Sequence, residues 1–418
     1  MLQATDRAKV QRHTIRTLML TQVFGGVGLA AGATVGTILA EQLSGRTDLA
    51  GLGGTFQTLG SALLALPIAA IAHRAGRRPS LATAYAAATL GALVIVAASA
   101  LGSFALFLIG SALLGGATAA NSAARYAAAD LALPEHRGRD LSLVVWVTTL
   151  GSVLGPNLAG PAAPVARALG LDVLAGPFVI SALALLLSAG VMWMRLRPDP
   201  LLLSRTLAGA PDHQRKGSIA RGWAAIRNHQ VAAQGIGMMA LAHMVMVSVM
   251  VMTPLHMVHG HATLAVVGFV ISGHILGMFA FAPIWGIGAD RLGAPIIALL
   301  GGAILMVAAF LAGLSAAGFS VTITVALFLL GLGWSAAFVS GSILLVGPLD
   351  VSERPGAQGL ADLLMGLTAA SGGALAGVVV QHWGYGWLAH LALIGAFAIM
   401  ALAALAHVGQ RAVARHVG

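Results

Sequence analysis

The sequence predicts an all-α polytopic membrane protein, and three observations carry that prediction. Of 418 residues, 58% are hydrophobic and 9% charged, with a mean hydropathy of +0.90, whereas an ordinary soluble domain carries about 25% charged residues. Apolar runs long enough for one membrane crossing each, about 20 residues, recur along the whole chain and number twelve. Lysine and arginine fall almost entirely in alternate connections between those runs, as expected of cytoplasmic loops. The formal net charge of +10 is spread over short loops and forms no continuous patch, so the expected partner is the lipid bilayer and no nucleic acid. There is no cysteine, which excludes disulfides and thiolate metal sites.

Taken in order, Arg7, Lys9, Arg12 and Arg16 precede a first span at Thr17–Glu41. It lacks a small-residue cleavage site and is long enough to cross, so it reads as a retained helix and not as a signal peptide. Spans two to six are expected at Leu49–Ile71, Pro79–Leu101, Phe104–Asp130, Leu141–Pro164 and Leu174–Trp193. A polar, basic linker follows over Arg195–Gln230, and its Ser218–Arg227 portion has the composition of a short helix lying on the membrane surface. Spans seven to twelve are expected at Val231–Val258, Leu264–Gly288, Ala294–Leu314, Ser320–Val346, Gly359–Gln381 and Gly386–His407. The domain division is therefore 1–195, a linker 196–230, and 231–418. Only Arg46 and Arg167 fall on the side opposite the remaining basic residues, so both termini are expected in the cytoplasm.

An ionisable group inside the bilayer is a functional candidate by default, and this chain has few. Glu41, Asp130 and Asp290 sit at span ends, and Asp362 lies a turn or two inside span eleven. Spans one, seven, eight and ten carry no Asp, Glu, Lys or Arg in their middles. A carrier of anions would need a buried cation to balance its substrate, so anionic substrates are disfavoured. An enzyme is disfavoured too, because there is no nucleophile–base constellation and no phosphate-binding glycine loop.

What remains inside is methionine, histidine and small polar groups. Span seven holds Met238, Met239, Met244, Met246, Met250, Met252 and Met257. Met246 and Met250 share one face, as do His274 and Met278 in span eight, because residues four apart are neighbours on a helix. Two thioethers with an imidazole and a third thioether form a soft set that suits cuprous copper. His243 sits on the same stripe. His256, Met257, His259 and His261 follow at the outer end of span seven, where they would collect a metal as auxiliary ligands. The same residues have a second reading, since methionine fills apolar cores and promiscuous surfaces and an imidazole bridges membrane helices.

Two loop segments repeat. Ala69, His73, Arg74, Gly76, Arg77 and Arg78 after span two stand in the same frame as Gly286, Asp290, Arg291 and Gly293 after span eight, 217 residues on. This frame resembles the loop signature of the major facilitator superfamily, with His73 in place of the acid. Gly151, Gly155, Pro156 and Gly160 resemble the superfamily's glycine–proline element in helix five, and Arg125 resembles the arginine often found in helix four. The resemblance implies a major facilitator fold of two six-helix halves, with His73, Arg74, Arg77, Arg125, Asp290, Arg291 and Asp362 in gating or coupling. Within that superfamily, Met246-x-x-x-Met250 followed by His274-x-x-x-Met278 is similar to the signature of the bacterial CcoA-like copper importers. What this resemblance implies is an inner-membrane importer with no bound cofactor. Copper would be its transported substrate, bound by Met246, Met250, His274 and Met278, copper chaperones its protein partners, and cbb3-type cytochrome oxidase assembly its beneficiary. Two other substrates fit the same helices: apolar drugs expelled against protons, suggested by the helix-five element and the methionine wall, and riboflavin, which Trp334 and Trp383 would stack upon.

Overall fold

The computed structural model describes residues 4–133, 137–208, 223–224, 226–349 and 354–417, all of whose regular structure is helical. In hydrocarbon a helix pairs every interior backbone N–H and C=O within its own segment, so long apolar runs have no cheaper open-ended conformation. Among the described residues, eleven helices are long and apolar enough to cross a membrane. They coincide with expected spans one to four and six to twelve. The fifth expected span, Leu141–Pro164, is split between a helix over Arg137–Asn157, which lies outside that set, and the start of a short helix at Ala162–Ala168. Arg137, Arg139 and Asp140 open the longer helix, and Pro156 and Asn157 close it, so its apolar stretch is short. Pro161, which has no N–H and disfavours helix at Gly160, separates it from the next helix.

By contact the chain divides into two compact units. The first comprises residues 1–45, 52–214 and 263–272. It holds α1 (Ala4–Ser44), α2 (Leu52–Ala75), α3 (Arg77–Leu101), α4 (Phe104–Ala129), α5 (Arg137–Asn157), α6 (Ala162–Ala168), α7 (Gly176–Arg195) and α8 (Pro200–Ala208). In it α1 packs on α5 and α7, α2 on α4, and α3 on α4 and α7, around Leu18, Leu39, Tyr85, Phe107 and Phe178. The second comprises residues 46–51, 215–262 and 273–418. It holds α9 (Gln230–His259), the last seven residues of α10 (Leu264–Phe279), α11 (Ala282–Leu292), α12 (Ala294–Leu314), α13 (Val321–Val346), α14 (Arg354–Trp383) and α15 (Tyr385–Val417). There α9 packs on α13, α14 and α15, and α12 packs on α13 and α15. Expected span eight is thus two helices: Ala280 and Phe281 form a turn, and Pro283 starts α11 near its first position, where a missing N–H costs nothing. The surface helix expected over Ser218–Arg227 lies largely outside the described residues.

Large apolar side chains such as Leu63, Leu66, Ile394 and Phe397 are more than half exposed. In water so much apolar surface would drive association; against lipid tails it is the solvated surface.

The glycines of α5 permit close packing. A Cβ at Gly151 would stand 2.1 Å from the Val23 carbonyl oxygen of α1, whereas one at Gly190 in α7 would meet nothing within 4 Å. Gly151→Ala is therefore expected to cost about 1–3 kcal/mol by overpacking and to lower Tm in thermal unfolding of the purified protein. Gly190→Ala should leave Tm unchanged or raise it slightly.

Candidate functional site

The two loop copies share a backbone bend: Gly76 has φ +95° and Gly293 φ +93°, left-handed values open to glycine and strained for other residues. In the first copy Arg77 makes a two-pronged ion pair with Asp130 at the end of α4, Nε to Oδ2 at 2.8 Å and Nη2 to Oδ1 at 3.3 Å. The backbone N–H of Arg78 donates to Asp199 at 2.7 Å, and its guanidinium lies 4.4 Å from the centre of the Trp193 ring. Arg7 donates to the carbonyls of Leu131 and Ala132, and Gln11 donates to Asp140 at 2.6 Å. These bonds tie the start of α1 to the end of α4 and the start of α5. Arg74, Asp290 and Arg291 are exposed; the His73 side chain lies outside the described part. Arg125 is half-buried in α4, one turn beyond Asn121. Asn121, Gln22 and the fully buried Tyr85 form a polar cluster, with the Tyr85 hydroxyl 2.8 Å from Asn121 and 3.1 Å from Gln22. Asp362 is exposed on α14.

In the second unit, α13 organises the methionine and histidine pairs. A Cβ at Gly341 would press on Met239 of α9, Gly235 faces the Gly341 carbonyl, and Trp334 Nε1 donates to His243 at 3.1 Å. The two helices therefore run antiparallel. With both rising about 1.5 Å per residue, Met246 and Met250 come level with Gly331 and Leu327. At about 100° per residue, both also lie within roughly 20° of the direction of Met239, on the face turned to α13. From the other helix, a Cβ at Gly331 would stand 2.2 Å from the His274 carbonyl oxygen and 3.0 Å from the Met278 nitrogen. Only glycine allows α10 that close. Both pairs thus converge on one level of α13. Met246 and His274 are buried, and Met250 and Met278 half-buried.

The ring nitrogens separate the two histidines chemically. His274 Nδ1 lies 2.8 Å from the Leu327 carbonyl oxygen; a carbonyl only accepts, so Nδ1 carries the proton and Nε2 keeps its lone pair. That Nε2 is buried and has no hydrogen-bond partner. His243 is the reverse: the indole N–H only donates, so Nδ1 is the acceptor and the neutral ring holds its proton on Nε2. His274 therefore keeps an unshared lone pair at Nε2, and His243 uses its lone pair at Nδ1 to hold Trp334. Trp334 also stacks on Phe338 at 5.0 Å and meets Phe279 edge-on at 6.0 Å.

The outer residues are placed on different sides. His256 stacks on Tyr385 at 4.1 Å and 13°, and Tyr385 shares a 2.7 Å hydrogen bond with Thr253. Met257 is fully buried, and His259 and His261 are exposed. Among the described residues no group of three or more His, Cys, Asp or Glu is arranged to hold a metal. Of the two tryptophans named from sequence, Trp334 is buried in the bundle and Trp383 is 60% exposed. Sequence reasoning missed α13 as the support of the pairs; the run Gly331-Leu-Gly333-Trp334 was the available signal.

The family model of the Major Facilitator Superfamily matches residues 17–264 and 239–416. The chain is 38% identical over 388 residues to the uncharacterized MFS-type transporter YdeG of Bacillus subtilis, covering 92% of this chain and 89% of that one. It is 36% identical to YddS of the same organism, over 90% and 87% of the two chains. It is also 30% identical to the riboflavin transporter RfnT of Brucella anthropi, over 90% and 92%. Among solved structures, a bacterial homologue of the human lysosomal transporter Spinster, inward-facing and unoccupied, superposes with a TM-score of 0.69 at 14% identity over 96% and 95% of the two chains. That likeness is one of fold.

The ion pair at the end of α4 gives a direct test. Asp130→Arg should lower Tm by placing two guanidinium groups together, and Arg77→Asp in the same chain should recover at least half of the loss, as contacting residues in a thermodynamic cycle do.

Proposed function

The chain belongs to the major facilitator superfamily and is a multi-pass membrane transporter, and from that premise we propose that its substrate is copper, carried inward as Cu(I). The observation that carries this reading is the buried, unpartnered Nε2 of His274. It is a lone pair with no protein donor to satisfy it, one helical turn from Met278 and level with Met246 and Met250. Burying an acceptor without a partner costs about 1–3 kcal/mol, a cost that a bound cation offsets. Thioethers bind Cu(I) without losing a proton and less tightly than thiolates, which suits a site that must also release its ion.

In this reading the exposed His259 and His261 meet copper first, and the α9–α10 ligand set receives it at mid-membrane. Rocking of the halves about that level opens it to the side on which lysine and arginine concentrate, which we take as the cytoplasm of a bacterial inner membrane. Copper chaperones there would accept it for assembly of cbb3-type oxidase. Proton and metal compete for the same His274 lone pair. The repeated loops and the Arg77–Asp130 pair serve the gate, which breaks and remakes as the halves move.

A second reading has its own observation. Trp334, Phe338 and Phe279 offer aromatic faces beside the same level, and a relative at 30% identity is a riboflavin transporter. A flavin would stack there with His243 holding Trp334 in place.

Uptake of radioactive copper into cells lacking their own importer distinguishes the two. The intact protein should accumulate copper, and His274→Ala and Met246→Leu should each lose about tenfold or more at equal membrane levels, the loss of at least one ligand bond. Copper uptake at background with rapid uptake of radioactive riboflavin, lost in Trp334→Ala, would replace copper with the flavin.

A further inference from the structure

One cavity in the second unit belongs to none of the residues above. Its volume is about 520 Å³, within the usual range for small-ligand sites, and it lies between the start of α9, the start of α14 and the residues that lead into α9. Its floor is apolar: Ala233, Ile236, Gly237 and Ala240 of α9 face Leu360 and Leu364 of α14. The one hydroxyl there is already used, since Thr368 donates to the carbonyls of Leu364 and Ala240. Its mouth is different. Arg227, Gln230 and the 59% exposed Trp223 stand there.

We propose that this groove binds one acyl chain of an anionic phospholipid from the leaflet on the basic side of the membrane, with Arg227 on the phosphate. Length supports it. From Gln230 to Ala240 the wall extends ten residues, about 15 Å at 1.5 Å per residue, which is about half of a 30 Å hydrocarbon core and so the reach of one leaflet. Depth supports it as well, because α9 begins its membrane span at Gln230. That places Arg227 and Trp223 at headgroup level, where tryptophan sits by preference. Charge completes the match: a guanidinium pairs with a phosphate in two-pronged fashion. The linker before it adds Arg215, Lys216 and Arg221 in sequence, and a cluster of this kind attracts anionic lipid. A water-soluble metabolite fits poorly, since below the mouth the walls offer no unsatisfied polar group to hold it. The site is independent of the substrate assigned above.

The test uses the detergent-purified full chain titrated with phosphatidylglycerol in mixed micelles, read by thermal unfolding and by native mass spectrometry. Phosphatidylglycerol should raise Tm and appear as a bound adduct. Arg227→Gln should weaken the apparent affinity about tenfold, one charge-assisted hydrogen bond, and Ala233→Trp, which fills an exposed wall position of the groove, should abolish the adduct while leaving the lipid-free Tm unchanged. An equal response to phosphatidylcholine, an equal rise in Tm with inorganic phosphate alone, or unchanged binding in both variants would overturn the proposal.

Discussion

Lipid tails are as apolar as leucine, so burying hydrocarbon gives membrane helices little reason to associate; what remains is close approach and polar contact. This chain relies on both. Gly151 and Gly331 bring backbones within reach of side-chain-free contact, and alanines fill about half of the buried positions of α3 and α4 and most of those of α15. Polar contacts then fix register: Tyr85 with Gln22 and Asn121 in the first unit, His274 with Leu327 and Trp334 with His243 in the second. Without the glycine at 331, α10 would stand off from α13, and the His274 imidazole would lose the carbonyl that sets its tautomer.

The same economy explains why so few groups are left for chemistry. Several buried hydroxyls return a hydrogen bond to their own helix, as Thr34, Ser111, Ser181 and Thr253 do. Such groups are satisfied and unavailable. An imidazole cannot bond back along its own helix at both nitrogens, and His274, with Nδ1 on the Leu327 carbonyl, keeps a buried lone pair at Nε2. The feature that draws attention to the site follows from the geometry of the side chain in a tightly packed bundle.

Span positions were legible because length and hydropathy dictate them: the ends of α3, α9, α12 and α13 fall within two residues of the expected limits. Pro283 was visible in the sequence, yet the break it causes in span eight was not expected, since a proline inside a membrane run is often tolerated with a kink. The pairing of Met246 with Met250 and of His274 with Met278 was also legible, being a matter of spacing within one helix. Their common level on α13 was not, because register between helices depends on which glycines meet, and a single sequence carries 54 glycines with nothing to say which of them face each other. His256 was placed from sequence at the outer end of span seven as an auxiliary metal ligand. In the fold α9 continues past Pro254, and His256 becomes a stacking partner of Tyr385.

The bends at Gly76 and Gly293 allow one part of the chain to serve as a control for another. The two glycines take nearly the same left-handed φ although one loop carries His73 where the other carries Asp290. That left-handed conformation therefore does not depend on the acid, and whatever the carboxylate contributes is added to a bend that the first loop makes without it. Within one molecule, this separates the architecture that the two loops share from the chemistry that only one of them carries.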